Sequence, residues 1–168
     1  MFLAVLLASL SLHVHPSEID SLLRELDMSI RNRPQYTLKR QEQIDALQRK
    51  LRLSHSDQER YDLYRELFGK YRSYRMDSAL WVANQRVELA KRMKNPLYIR
   101  SAELNIAEVM IGVAMYKEGL EILDGIKSAD LDASGVSYYY YQYHQVYTLM
   151  ADYAFSDQMK EHYRGLAY

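Results

Sequence analysis

Few residues in this chain could act chemically on a substrate. Its 168 residues include five scattered histidines and no cysteine. His13 and His15 form a His-x-His pair that, if extended, could touch a metal; a lone pair at the edge of an apolar leader more commonly does nothing. His144 and His162 lie too far apart in sequence to make a ligand pair. No glycine-rich phosphate loop, His-Glu-x-x-His or Gly-x-Ser-x-Gly is present. Carboxylates are plentiful but fit solvated helix faces, so naming two of them as acid and base would be arbitrary. The expectation is a chain with no catalytic residue, metal site or cofactor.

Tyrosine is the unusual resource, supplying 16 of the aromatic residues against three Phe and one Trp. Tyr138 to Tyr141, Tyr143 and Tyr147 crowd one stretch. Four consecutive residues point around most of a helix, so not all of them can be core. A tyrosine has an apolar ring and a polar tip, which suits half-burial between helices and also contact at an interface. Packing between helices accounts for more than half of the tyrosines on this reading, and the rest are available for binding.

The elements that position these side chains follow from length and punctuation. The size is that of one domain with one sizeable core. Lys plus Arg and Asp plus Glu number 22 each, for a formal net charge of zero. That balance argues against a strongly basic nucleic-acid binder and against an acidic disordered tail. The absence of cysteine removes disulfide scaffolds, thiolate zinc sites and an acylated cysteine. Met1 to Leu12 is apolar and uncharged. It is too short to span a bilayer but matches the apolar region of a secretory signal, with Ser9 and Ser11 suited to a cut after Ser11. The expectation is a signal peptide over 1–16; the alternative is a buried first helix.

Glycine and proline are sparse and spaced, as in helices joined by short turns. Ser17 is a good cap for a first helix, with Glu18 and Asp20 in its first turn and Ile19, Leu22, Leu23, Leu26 and Ile30 along one face. Pro34 is expected to end that helix. A second runs from about Tyr36 to Leu53, with Leu38, Ile44, Leu47 and Leu51 inward. Arg31 to Arg52 holds seven basic residues against two acidic. A solvated helix face is the preferred reading over phosphate or anionic-lipid contact.

From Asp57 onward the chain repeats itself. Ile106-Ala107, Met110, Ala114, Tyr116, Gly119 and Leu123 follow one another at helical-hairpin spacing. About forty residues earlier Tyr64, Leu67, Tyr71, Met76, Ala79, Leu80 and Ala83 repeat the order more loosely, with Ala79 aligned to Gly119. A third unit places Ala151 and Tyr153 against Ala114 and Tyr116. Small residues on paired helices let two backbones approach, and stacked pairs bury faces that none buries alone. This pattern resembles the tetratricopeptide repeat. Ile106-Ala107 stands where that family has Leu-Gly, Met110 where it has Tyr, and Ala114 where it often has Gly. The resemblance implies an all-α fold of helical hairpins stacked as a TPR-like right-handed superhelix. The expected divisions are a leading helix pair at 17–53 and repeats at 57–94, 97–128 and 134–168.

Ile19-Asp-Ser-Leu-Leu, Arg33-Pro34, Gln43-Ile44-Asp45, Glu59-Arg-Tyr, Met76-Asp-Ser-Ala-Leu and Met115-Tyr-Lys-Glu-Gly-Leu carry a wider likeness. Together they are similar to the N-terminal sensor region of bacterial envelope regulatory proteins. The resemblance implies an exported region followed in its relatives by a membrane helix and a cytoplasmic regulatory segment. This chain is then expected to be the sensor region alone, reaching a membrane only through a downstream segment. It also implies a groove lined by the first helix of each pair. The TPR register places Tyr61, Tyr64, Arg65 and Arg72 there from the first unit, and Leu104, Asn105 and Glu108 from the second. The third unit supplies Tyr138, Tyr141, Gln142 and Gln145. His144 takes the small-residue position of its unit and is expected there as a packed core or edge histidine.

Asn105 matches the groove asparagine of the family, whereas the second and third units lack the basic residues that clamp a terminal carboxylate in some relatives. The expected function is a non-catalytic protein-interaction or sensory module on the periplasmic side of a bacterial envelope. Its partner would be a protein or peptide, without direct nucleic-acid contact. The alternatives are a cytoplasmic transcription-associated regulator using Arg31–Arg52, and an envelope carbohydrate-uptake helical binding protein.

Overall fold

A computed structural model describes residues 16–167, all of whose regular elements are helical. The expected signal peptide and the His13–His15 pair lie almost wholly outside these residues. The chain divides into two compact units, residues 1–42 and 43–168.

In the first unit the described residues belong to α1 (Pro16–Leu53), a helix that extends into the second unit. The expected pair of helices at 17–53 is corrected by this continuity, because Pro34 lies inside the helix. A proline removes one backbone donor and costs about 3 kcal/mol in a helix interior. Its fixed φ is nonetheless helical, and the Leu, Lys, Arg, Gln and Glu residues that follow from Leu38 are strong helix formers. Thr37 adds a side-chain hydrogen bond, donating to the Arg33 carbonyl at 3.0 Å. Ile19, Leu22, Leu23, Leu26 and Ile30 form the expected stripe and are exposed.

The second unit begins with the end of α1, where Ile44 and Leu47 are buried. Three hairpins follow. They are α2 (Asp57–Tyr71) with α3 (Met76–Arg92), α4 (Pro96–Gly112) with α5 (Tyr116–Asp124), and α6 (Ala133–Asp152) with α7 (Asp157–Leu166). A single 3-10 turn at Ser128–Asp130 precedes α6. Four of the helices start at side-chain caps. Ser56, Asn95, Asp132 and Ser156 accept from the backbone N–H groups of Glu59, Tyr98, Gly135 and Met159. Each cap satisfies a donor that has no partner within its helix.

Ile44, Leu63, Leu67, Phe68, Ala79, Val82 and Ala83 pack into one cluster under the first hairpin. Leu104, Ala107, Ile111, Leu123, Ile126 and Val146 form another between the second and third. Of the expected small residues Ala79, Ala83 and Ala107 are completely buried, as are Ala90 and Ala102, whereas Ala114 is exposed in a turn. At Gly119 a Cβ would lie 2.8 Å from Ile111 Cγ1.

Two junctions share one turn. Lys94 and Ala114 both have positive φ, at 51° and 62°. In each turn two backbone N–H groups reach back into the helix: Asn95 to Ala90 and Lys94 to Lys91, then Met115 to Met110 and Ala114 to Ile111. This is a Schellman ending, whose left-handed residue is usually glycine. Ala114 therefore fills a glycine position with a Cβ that costs about 1–2 kcal/mol.

Two substitutions should move stability in opposite directions. Gly119→Ala drives a methyl into Ile111 and should destabilise by about 1–3 kcal/mol. Ala114→Gly relieves the turn and, after the extra entropy of the unfolded chain, should stabilise by up to about 1 kcal/mol. Urea melts followed by circular dichroism check both; equal midpoints for the two variants would contradict the hairpin geometry.

Candidate functional site

The first helices of the three hairpins, α2, α4 and α6, enclose a hollow of about 470 Å³. From α2 it is lined by Tyr61, Asp62, Arg65, Phe68, Gly69 and Arg72. Leu97, Tyr98, Ser101, Leu104 and Asn105 come from α4, and Asp132, Ser134, Gly135 and Tyr138 from the start of α6. One residue of a second helix also reaches it, Arg86 from α3.

A polar web ties these helices together at the hollow. Tyr61 and Tyr98 stack with ring centroids 4.5 Å apart and planes 8° from parallel. The Tyr61 hydroxyl donates to the Tyr98 carbonyl at 2.8 Å and accepts from Arg86 Nη2 at 2.8 Å. Arg86 Nη1 donates to Asn105 Oδ1. The guanidinium carbon lies 4.4 Å from the Tyr61 ring centroid, within cation–π reach. Only 2% of Arg86 is exposed, and burial pulls its pKa below the ordinary arginine value, since desolvation penalises the charged form. Hydrogen bonds to a charged group contribute about 1.5–3 kcal/mol each, against a desolvation penalty of several kcal/mol for a buried ion.

Glu108 forms the other joint. It accepts from Arg72 Nη1 at 2.9 Å and from the Tyr138 hydroxyl. One carboxylate on α4 thus holds α2 and α6. Burial raises the Tyr138 pKa first, and the neighbouring Glu108 charge raises it further. Burial likewise raises Tyr61, with the Arg86 charge opposing. Asp132 is bound to the Gly135 N–H at 2.7 Å and the Ser134 hydroxyl at 2.8 Å, and these donors hold its carboxyl below the usual aspartate value.

Of the residues placed in the groove by register, Tyr61, Arg65, Arg72, Leu104, Asn105 and Tyr138 meet in this hollow. Glu108 stands beside it through its two bonds. The other four do not line it. Tyr64 packs edge-on against Trp81 with centroids 5.8 Å apart. Tyr141 points to solvent with 58% exposed. Gln142 is wholly buried, its Nε2 donating to the Leu104 carbonyl at 3.0 Å while Oε1 has no protein partner. Gln145 is half-buried elsewhere on α6. His144 is at an exposed edge, with Nδ1 2.9 Å from the Ala167 carbonyl.

Sequence reasoning missed Arg86, Tyr98, Ser101 and Asp132. Arg86 did leave a signal: it is a charge set within the apolar run Ala79, Val82, Ala83, Val87, Ala90 of α3. Asp132 is legible as a helix cap but not as a wall of the hollow.

Among the described residues no group of three or more His, Cys, Asp or Glu comes together as a metal site would require. No described helix is long and apolar enough to cross a membrane. A protein-family model described as the SusR N-terminal TPR domain matches residues 30–168. No curated protein and no solved structure matches the chain.

The tyrosines supply a pH test of this packing. Tyrosine ordinarily titrates near 10.0, and Tyr61, Tyr138 and Tyr143 are all raised above that value. Their contribution to stability is full below pH 10 and is lost as pH rises through the folded-state values, because the unfolded chain ionises first. Absorbance at 295 nm should show a group of tyrosines ionising only as helical circular dichroism is lost at alkaline pH. One step near pH 10 with the helices intact would contradict the burial.

Proposed function

The chain belongs to the SusR N-terminal TPR domain family, and from that premise we propose that it is the protein-docking part of a SusR-like regulator. TPR-type domains are typically non-catalytic interaction modules that take proteins or peptides. In this chain the docking surface is the hollow of α2, α4 and α6, and the occupant is an extended segment or a partner helix. One observation carries the reading: six residues that the repeat register assigns to a groove, 77 residues apart at their extremes (61 to 138), meet around one hollow of about 470 Å³.

The chemistry of the walls suits that task. Tyrosine rings give contact area at low entropy cost, and Asn105, Ser101 and Ser134 are polar groups of the kind that pair with a backbone. Arg65 is the adaptable contact, since its bond to Asp62 is a long 3.4 Å and its side chain is well exposed. The polar groups at the floor hold one another, which gives the hollow a fixed shape.

The same volume lies in the range of small-molecule sites, and this favours a second reading in which the hollow holds a short carbohydrate. Export is the remaining part of the proposal. Its support is the apolar, uncharged run Met1–Leu12 ahead of Pro16, and on this reading the domain lies on the periplasmic side of a bacterial envelope.

Peptides selected from a random display library on the full chain provide the test. Arg65→Ala should weaken them about tenfold, as expected for an arginine at a contact centre, with unchanged helicity. Tyr141→Ala, outside the hollow, should leave affinity alone. Equal losses from the two variants would move the site elsewhere, and displacement of the peptides by a neutral oligosaccharide would favour the carbohydrate reading. For export, N-terminal sequencing of the protein recovered from its native cell should begin at or near Leu12; a start at Met1 would remove it.

A further inference from the structure

Ile19, Leu22, Leu23, Leu26 and Ile30 lie along one face of α1 in the first unit, each between 46% and 60% exposed. A helix in a folded protein draws most of its stability from packing such a face rather than from propensity. Ile19, Leu23, Leu26 and Ile30 follow one another at steps of four, three and four, the core spacing of a coiled-coil seam. The same register then runs through Arg33, Thr37 and Arg40, so the apolar seam stops at Ile30. It turns apolar again at Ile44 and Leu47, and those side chains are buried. The register is thus apolar towards both ends of α1 and covered at only one.

We propose that this face pairs with the same face of a second copy of the chain, the two helices running antiparallel. Steps of four, three and four read the same in both directions. A twofold axis midway between Leu23 and Leu26 therefore sets Ile19 opposite Ile30 of the second copy and Leu23 opposite its Leu26, and the seam closes on itself. Charge selects the direction. Asp20, Arg24, Asp27 and Arg31 follow one edge of the seam with alternating sign, and no ion pair among the described residues engages them. Reversed, that row is its own complement: Asp20 meets Arg31 of the second copy, and Arg24 meets its Asp27. The centre of this row and the centre of the seam differ by one residue, about 1.5 Å along the helix, which an arginine side chain spans. On the other edge Glu18 comes opposite Arg33 of the second copy. A parallel copy would instead turn Asp20 and Asp27 towards Glu18, Leu22, Glu25 and Ser29, where no cation stands, and like charges so placed oppose pairing. No residue of the hollow takes part.

Sedimentation equilibrium of the full chain should show a monomer–dimer equilibrium. Leu23→Asn combined with Leu26→Asn should weaken it by about tenfold or more, with the thermal melting of the second unit unchanged. Asp20→Arg with Asp27→Arg leaves the row wholly basic, and Arg24→Asp with Arg31→Asp leaves it wholly acidic. Each of these double variants should associate more weakly than the native chain, and an equimolar mixture of the two should recover association. A monomer at every concentration, or a dimer indifferent to the seam and charge variants, overturns the proposal.

Direction is read by disulfide trapping, for which a chain without cysteine supplies a clean background. Ile19→Cys and Ile30→Cys should link to each other in an equimolar mixture and neither should link to itself. In the antiparallel pair two copies of position 19 stand as far apart as positions 19 and 30 of one helix, about 16 Å, beyond the span of a disulfide. Linking of each variant to itself would show a parallel pair and overturns the proposal. Flotation of a monomer with phosphatidylglycerol vesicles, abolished by Leu23→Asn with Leu26→Asn, overturns it as well and assigns the face to a lipid surface.

Discussion

Close approach of paired helices is the constraint on which the rest of the second unit depends. Ala79, Ala83, Ala90, Ala102 and Ala107 are fully buried, and at Gly119 even one added carbon would meet Ile111 at 2.8 Å. Such notches let backbones approach until side chains on both flanks interdigitate at interior density. A hairpin cannot bury its apolar face by itself, so each pair requires the next, and stacking follows from pairing. The turns serve the same end: two of them close with a left-handed residue, Lys94 and Ala114, which reverses the chain within a few residues.

Stacking sets the first helix of every hairpin side by side, and the hollow is a consequence. At that point polar side chains join the helices. Glu108 does so with Arg72 and Tyr138, and Arg86 with Tyr61 and Asn105. The two joints differ in charge balance. The first combines a carboxylate with a cation and a neutral donor, whereas the second sets a cation against neutral acceptors alone.

The helix at the start of the chain shows how a local rule gives way. Pro34 is a strong stop signal when the flanking residues are indifferent, but here helix formers continue on its far side for nearly five turns. Once Ile44 and Leu47 are buried in the second unit, the segment after the proline is anchored as helix. Losing one backbone hydrogen bond then costs less than breaking the helix. A stop signal read residue by residue cannot weigh that later anchorage.

Much of the architecture was legible without coordinates, because it is set by local chemistry. Hairpin crossings follow from small residues recurring at fixed spacing. Which side chains enter the hollow was decided only by the tertiary structure. Helical periodicity assigns a residue to a face, yet neighbouring positions on one face diverge once the crossing angle is fixed. Tyr138 and Gln142 sit one turn apart on α6; the first lines the hollow and the second is sealed beneath Leu104. Arg86 reverses the lesson, since its sequence neighbours place it in the core and only the convergence of α2, α3 and α4 gives it a polar floor to stand in. Local spacing fixes what a helix can bury, and the angle at which helices cross fixes what it presents.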